Sequence, residues 1–568
     1  MTGGSAPNLD KMVSLLDSGD TDPKQDILVC DLPPASGKTY AATDAGEGGL
    51  LAWFNRSYGM AVRPCDCYLL EPRKDLYKQV LADATTPLFE VESWRRELGD
   101  FDKENQERIR IAAYHSWSID SGEGLPKRPS LFVFDEAHYL AADTFVFQSF
   151  FALKKLIASR GKTVFVIFLT ATPQPLLYLG KDEAHRHETL SKCFEQFGFS
   201  FARINKKERP KYQVGQFYTV RGKTISTAYK HLRGDGESKA AFFCQNAKDA
   251  VKIGREDKHA QIVISRYNTG EDQAGAYVDV MDEAKNEELL RTKRLPASVH
   301  TLIGTSVIHA GVNLEDPLLE RVAIESELPH EIIQAAYRFR QDVPEVFILQ
   351  NGNRYKQSHA TEENTFKALG SVRESGTEEE AQGYLRCLWD SEKRDSETLD
   401  KKSKKTISYA PFVGKWNGRY EVDYSVFAYF LYLEDCHFAA SNYSNKRSRT
   451  IEFCGKETPL SEEYFAEMVG DCSANKPKPY EFTKETFDKV VKCQLESVDM
   501  DAILAPYLGK KLRPKSAERE ALINVVPCFD SYGSRRGWTT AKKRIEAAGF
   551  VVQDKRDKES NYTLITKN

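Results

Sequence analysis

Ile27-Leu28-Val29-Cys30-Asp31-Leu32-Pro33-Pro34-Ala35-Ser36-Gly37-Lys38-Thr39 runs an apolar strand into a loop of small residues and then into a helical pattern. Three further strings follow in order. Asp135-Glu136-Ala137-His138 closes the apolar run Leu131-Phe132-Val133-Phe134, and Thr170-Ala171-Thr172 closes the run Val164 to Leu169. Gln334-Ala335-Ala336-Tyr337-Arg338-Phe339-Arg340 comes last. Polar groups at the carboxyl ends of buried strands are the signature of an open parallel sheet, which binds ligands at those ends.

Around that stretch, from Ile27 to about Phe201, short apolar strands alternate with helical segments. Tyr68 to Leu70 precedes a helix near Lys74 to Ala84, and Ile109 to Ala113 is a further strand. The alternation restarts after a basic joint around Lys206 to Lys211, with strands at Gln216 to Val220, Ala240 to Phe243, Gln261 to Ile264, Val299 to Ile303, Arg321 to Ile324 and Glu345 to Leu349. Helices are predicted between them at Ile225 to Leu232 and Ala247 to Ile253. Such alternation predicts two tandem α/β domains, each a parallel sheet flanked by helices. The predicted divisions are a flexible start at 1–24, the first domain at 25–205, the second at 206–354, a charged helical connector at 355–405, an α+β accessory region at 406–506 and a terminal module at 507–568.

Composition fits a large enzyme. The 568 residues allow about three or four domains, and an apolar share of 41% supplies their cores. A net charge of -3 excludes a uniformly basic coat, so contacts to a polyanion must be local. The 11 cysteines are scattered and the pair Cys65 and Cys67 has no second pair beside it, so reduced thiols and no structural zinc are expected. No charged-then-apolar leader opens the chain, and Val426 to Leu433, the longest apolar stretch, is too short for a bilayer; a cytoplasmic protein without a membrane span is expected.

The first two strings carry a definite chemistry. A triphosphate requires backbone N–H donors, a compact cation and a metal. Ser36 and Gly37 form the loop, Lys38 reaches the β- and γ-phosphates, and Thr39 ligates Mg²⁺ through its hydroxyl. Asp135 holds the same ion, and Glu136 orients and deprotonates the attacking water. One carboxylate serves the metal and the other the reaction.

Over about residues 25 to 352 these motifs resemble the superfamily 2 helicases, with a second motif of the DEAH type. Weaker matches run through Leu70-Glu71-Pro72-Arg73-Lys74-Asp75-Leu76, Ala113-Tyr114-His115-Ser116-Trp117, Ala241-Phe242-Phe243-Cys244 with Asn246, and Ile303-Gly304-Thr305-Ser306 through Ala310-Gly311-Val312-Asn313. The resemblance implies two RecA-like domains that hydrolyse ATP between them. It assigns nucleic-acid contacts to Arg73, Tyr114, Ser116 and Thr305, and a place at the nucleotide to Gly311. It makes His138 and Thr170 to Thr172 the link between hydrolysis and domain motion. Gln334, Arg338 and Arg340 would complete the site from the second domain, with Arg338 the expected finger that stabilises charge on the transferring phosphoryl group and Arg340 either a second finger or a surface or ion-pair residue.

The chain departs from the family pattern in three places. Leu32 stands where Gly or Ala is usual, and Ala35 replaces a central Gly. No glutamine motif for adenine precedes the loop, Gln25 lying at an unsuitable distance, so ATP as the nucleotide comes from the resemblance. In the sixth motif the second arginine arrives early, at Arg340, and Tyr337 replaces a Gly. That shortened ending is similar to some viral origin-binding helicases and related mobile-element proteins.

From Tyr507 onward, 14 Lys and Arg stand against 7 Asp and Glu. Helical patterns at Ala517 to Phe529 and from Thr539, followed by Phe550 to Val552 and Tyr562 to Ile565 around a polar turn, outline a winged-helix-like module. Its second helix would offer Lys542, Lys543 and Arg544 to nucleic acid. Trp538 either packs at that helix start or stacks on a base, and residues 406–568 as a whole are the predicted place for a protein partner. The leading expectation is an ATP- and Mg²⁺-dependent helicase or translocase acting on DNA, with RNA left open because phosphate contacts do not see the base. The alternative is an ATP-gated origin-binding or remodelling protein that does not unwind processively.

Overall fold

The computed structural model describes residues 26–32, 34, 36–72, 74–84, 86–91, 106–114, 128–142, 163–177, 200–205, 212–234, 237–264, 281–305, 313–326, 328–350, 376–387, 413–416, 418–422, 477–483, 499–526, 537–558 and 560–567. Strands β1 (Asp26–Asp31), β2 (Cys67–Glu71), β3 (Phe89–Glu90), β4 (Arg110–Ala113), β5 (Ser130–Phe134), β6 (Val164–Thr170) and β7 (Ser200–Asn205) form one sheet in the order β3-β4-β2-β5-β6-β1-β7. Every pairing in it is parallel. The connections are helical, notably α1 (Lys38–Thr43), α2 (Leu50–Tyr58) and α3 (Lys74–Asp83). Because side chains alternate along a strand, Leu28 and Cys30 of β1 and Leu131 and Val133 of β5 share one face. They pack there with Trp53 and Phe54 of α2 and with Leu76 and Val80 of α3.

The second sheet repeats the plan. Strands β8 (Val214–Arg221), β9 (Lys239–Phe243), β10 (Ala260–Val263), β11 (Thr301–Gly304), β12 (Leu319–Ile324) and β13 (Val343–Gln350) run in the order β10-β11-β9-β12-β13-β8, again all parallel. Both faces are buried, as a parallel sheet requires. Ala241 and Phe243 of β9 join Val346 and Ile348 of β13 in one core, while Ala240, Phe242, Phe347 and Leu349 join another. Helices α4 (Ile225–Leu232), α5 (Ala247–Glu256) and α6 (Glu283–Thr292) start at the side-chain caps Thr224, Asn246 and Asp282. Helix α7 (Pro329–Ala336) has proline in its first turn.

Further along, residues 378–387 are helical, and the Trp416 to Tyr420 turn signal resolves into the hairpin β14 (Val413–Trp416) and β15 (Arg419–Val422), with Gly418 at φ 81°. The Gln382 amide donates to the Tyr420 carbonyl at 2.8 Å and accepts from the Tyr420 N–H at 2.9 Å, fastening that helix to the hairpin. Two boundaries differ from the sequence expectation. Strand β16 (Lys478–Pro479), placed by sequence in the accessory region, pairs with the outer edge of β8, and Tyr480 and Phe482 pack on the second domain's core. A two-residue strand carries no periodicity, but it covers an edge that would otherwise stand open.

The terminal module also begins earlier than 507. Met500 and Leu504 of α8 (Met500–Leu504) share one buried cluster with Leu522 of α9 (Ala517–Val525), Ile545 of α10 (Trp538–Ala547), and Phe550 and Ile565 of the antiparallel hairpin β17 (Phe550–Arg556) and β18 (Asn561–Lys567). Among the described residues no helix is long and apolar enough to cross a membrane.

A buried ion pair ties the second domain's loops to its sheet. Lys239 Nζ lies 2.8 Å from Asp316 Oδ2, both side chains 5% exposed, and it also donates to the Leu295 carbonyl at 2.9 Å. Lys239→Met leaves the Asp316 charge without its cation and should cost about 3–5 kcal/mol of stability in chemical denaturation. Asp316→Asn should cost a similar amount, because it leaves the buried Lys239 ammonium without its counter-charge, and one amide oxygen cannot serve both the Leu295 and the Leu318 N–H groups, which bond different oxygens of Asp316.

Candidate active site

The carboxyl ends of β1, β5 and β6 face residues from the α7 end of the second domain across a cleft of about 320 Å³. Lys38, Thr39, Asp135 and Glu136 line it from one side, and Gln334, Arg338 and Arg340 from the other. Gly37 caps α1 at φ 85°, in the left-handed region where any side chain would be strained. That turn starts α1 so that Lys38 and Thr39 enter the cleft.

Thr39 donates its hydroxyl hydrogen to Asp135 Oδ2 in a short hydrogen bond. A hydroxyl and a carboxylate oxygen therefore sit side by side, the hard oxygen donors that Mg²⁺ prefers. Lys38 Nζ donates to the Leu32 carbonyl at 3.1 Å, and the Ser36 hydroxyl is buried without a partner. Loop, cation and paired oxygens together fit a magnesium triphosphate.

Glu136 occupies a left-handed backbone conformation, φ 47°, which a residue with a Cβ adopts only when its surroundings hold it. Its own N–H donates to Asp135 Oδ1 at 2.9 Å, and the next N–H, of Ala137, donates to the Leu169 carbonyl at 2.9 Å. This turn sends Asp135 back toward Thr39 and Glu136 out toward the second domain. There Arg338 Nη2 donates to Glu136 Oε1 at 3.0 Å and Gln334 Nε2 donates to Oε2 at 3.2 Å.

A chain of contacts returns from these groups to where it began. His138 Nδ1 lies 3.6 Å from Glu136 Oε2 and 3.1 Å from Thr170 Oγ1. Thr170 Oγ1 accepts from the Thr172 N–H at 3.0 Å, and Thr172 Oγ1 accepts from Gln334 Nε2 at 3.2 Å. Gln334 Oε1 accepts from Arg338 Nη2 at 2.9 Å. Three strings from two domains thus meet on one carboxylate.

Burial and neighbouring charge set the protonation states. Burial, reinforced by Glu136, pushes the Asp135 carboxyl up to about 6, against the lowering effect of the Thr39 hydroxyl. For Glu136, burial acts upward but the Arg338 and Lys38 charges outweigh it, and the carboxyl ends below its ordinary value. Burial drives His138 down to about 3, so its ring is neutral at physiological pH. Lys38 is lowered by burial, with Glu136 and Asp135 opposing. Arg340 is brought to about 10 by burial and the like charge of Arg338, and it stays cationic at neutral pH.

Some sequence assignments land elsewhere. Tyr114 is a buried prop, 0% exposed, with its hydroxyl donating to the Asp135 carbonyl at 2.6 Å, where a nucleic-acid contact was expected. Thr305, the residue after β11, is buried with its hydroxyl enclosed. Arg73, Ser116 and Gly311 lie outside the described residues. On α10, Arg544 is buried in place of facing nucleic acid, Lys542 pairs with Asp554 at 2.7 Å, and Lys543 alone of the three is exposed. The Trp538 ring lies beneath the Arg519 guanidinium, 4.1 Å from its centroid.

Two residues that the sequence did not single out stand at the site. Glu71 ends β2 with 0% exposure and neither oxygen partnered. Burial and the adjacent Asp135 and Glu136 hold its carboxyl well above the usual carboxylate range. Gln79 of α3 also lines the cleft. An acidic residue closing the apolar run Cys67 to Leu70 was the available signal for the first; the second had none.

Residues 11–175 match the family model of the type III restriction enzyme res subunit. The match is confined to the first part of the chain. No curated protein matches. Among solved structures, the chain is similar to S. cerevisiae Dbp5 bound to RNA and ADP BeF3, with 14% identity and a TM-score of 0.37 over 62% of this chain and 85% of that one. It is similar also to Mycobacterium smegmatis Lhr helicase bound to ssDNA and AMP-PNP, with 13% identity and a TM-score of 0.38 over 99% and 76% of the two chains. Likeness this slight says nothing of function.

The Glu136 to Arg338 contact has a definite pH behaviour. A lowered carboxyl pKa means that its contribution is complete above the ordinary glutamate value and is lost as pH falls through the lowered one. Fluorescence energy transfer between labels on the two domains should therefore hold constant from pH 7 to below about 4.3, the unperturbed glutamate value, and fall only in stronger acid. In Arg338→Ala the transfer should already be reduced at pH 7.

Proposed function

We propose that this protein is an ATP-driven nucleic-acid helicase or translocase of superfamily 2, with a DEAH-type second motif and DNA as its track. One observation carries the reading: Glu136, the residue suited to activate water, is held by Arg338 and Gln334 of the opposite domain. Hydrolysis then depends on how the two domains meet. Lys38 takes the phosphates, and Thr39 with Asp135 holds Mg²⁺. When bound, Mg²⁺ neutralises charge on the transferring phosphoryl group. Glu136, charged and free of its own proton, accepts one from the attacking water.

The arginines divide the remaining work. Arg338 is committed to Glu136 and orients it. Arg340 lines the same cleft and is cationic, with no side-chain hydrogen bond or ion pair to it among the described residues, so it serves as the finger toward the phosphates. His138, Thr170 and Thr172 carry the position of Gln334 back to Glu136, and a shift of the second domain alters the base that activates water.

The terminal module, from 499 to 567, supplies a second hold on nucleic acid. Three helices and a hairpin around one core support a winged-helix-like reading. With Arg544 buried and Lys542 paired, the basic surface lies on the wing, where Lys555, Arg556 and Lys558 are exposed and Lys511 pairs with Asp557 at 3.0 Å. Such contacts are to phosphate and blind to sequence.

Lys38→Ala and Glu136→Gln should each reduce strand-stimulated ATP hydrolysis by about 10²–10⁴-fold, and stimulated hydrolysis surviving in both rejects the proposal. Tailed duplexes should be unwound with ATP and left intact with a non-hydrolysable analogue. Arg340→Ala should lower kcat by about 10³-fold or more. Removing residues 499–568 should weaken duplex binding and flatten its salt dependence; unchanged affinity assigns the module to protein docking.

A further inference from the structure

Helix α3 lines the cleft with Leu76, Gln79, Val80 and Asp83, the i, i+3, i+4, i+7 spacing of a single helix face. Three of these need no explanation from a ligand. Leu76 and Val80 reach down into the first domain's core, and Asp83 meets Lys293 of the second domain at 2.9 Å. Gln79 is different, because its side chain is 8% exposed and neither Oε1 nor Nε2 has a hydrogen-bond partner. A buried amide left entirely unpaired costs free energy that a fold ordinarily avoids. Here it borders the cavity that holds Lys38 and Glu136.

The walls beside it describe what would pair with it. Leu76, Val80 and Pro34 line the cleft together with the polar side chains of Thr43, Asp83 and Lys293, and Tyr40, a residue 44% exposed, lines it from α1. An exposed aromatic ring, apolar side chains and an unpaired amide on one cleft wall suit a flat heteroaromatic group with hydrogen-bonding atoms along an edge. A primary amide offers one donor and one acceptor side by side. Adenine matches that pair through its N7 acceptor and N6 amino donor, whereas guanine presents two acceptors, N7 and O6, along the same edge.

We propose that Gln79 is the base-reading residue of this site, pairing with the N6 and N7 edge of adenine while Tyr40 stacks on the ring. The assignment rests on the nucleotide reading above and supplies what the sequence lacks, a glutamine selecting ATP. The base lies against α3, and the triphosphate reaches from there to Lys38. The Asp83 to Lys293 pair joins the second domain to the same helix, one turn beyond Gln79.

The test compares ATP, GTP and 7-deaza-ATP, which lacks the N7 acceptor, as substrates for the full chain and for Gln79→Leu. In the unaltered protein kcat/KM for ATP should exceed that for 7-deaza-ATP and GTP by about 10–100-fold. In Gln79→Leu the value for ATP should fall to that of 7-deaza-ATP, mainly through KM, and the two should become equal. Inhibition by inorganic tripolyphosphate, which has no base, should be the same in both proteins and shows that the variant keeps its phosphate site. Gln79→Glu, which cannot donate to N7, should also lose the preference. Lys38-dependent hydrolysis with ATP and 7-deaza-ATP treated alike, or a preference that survives in Gln79→Leu, overturns the base assignment alone. If no nucleoside triphosphate is hydrolysed in a Lys38-dependent way, the nucleotide reading fails and this one with it.

Discussion

The contact between Glu136 and Arg338 joins two domains through one buried charge. A carboxylate 14% exposed beside an arginine 5% exposed is tolerable only while both stay together, because either charge alone would lie in a poor solvent. The rest of the site follows from keeping them paired. Glu136 takes a left-handed backbone angle to reach across, Gln334 occupies its second oxygen, and burial keeps His138 neutral beside it. Domain position and carboxylate orientation are thereby one variable.

That coupling distributes chemistry unevenly between adjacent acids. Asp135 turns inward to Thr39 and is pushed toward protonation by burial and by its neighbour. Glu136 turns outward to Arg338 and is pulled the other way. Neighbours in sequence, they acquire opposite tendencies because the turn after β5 points them at different surroundings. Glu71, buried and without a hydrogen-bond partner, is pushed the same way as Asp135, by burial and by both neighbouring acids.

Much of the fold was legible from the chain alone. Strands β1, β2, β5, β6, β9 and β12 fall where runs of three to six residues predict them, and α4 spans Ile225–Leu232, as its spacing predicts. Short or late elements were not legible. Strands β3 and β16 have two residues each, too few for any period, and the terminal core draws in Met500 and Leu504 from beyond a boundary placed by charge. Charge marks surfaces, whereas cores are set by which apolar groups meet.

At the site, residue types and order in the sequence singled out Lys38, Thr39, Asp135 and Glu136, and the family resemblance singled out Gln334, Arg338 and Arg340; all seven line one cleft. Local sequence also determined the parallel sheets, because runs apolar on both faces leave little alternative. Only the tertiary structure separated Arg338, bound to Glu136, from Arg340, two residues on and facing the cleft. It alone turned Tyr114 into a prop, buried Arg544, and placed Gln79 with two unpaired atoms beside a cavity. Those outcomes depend on partners distant in sequence, and a polar group's role is decided by whether something meets it.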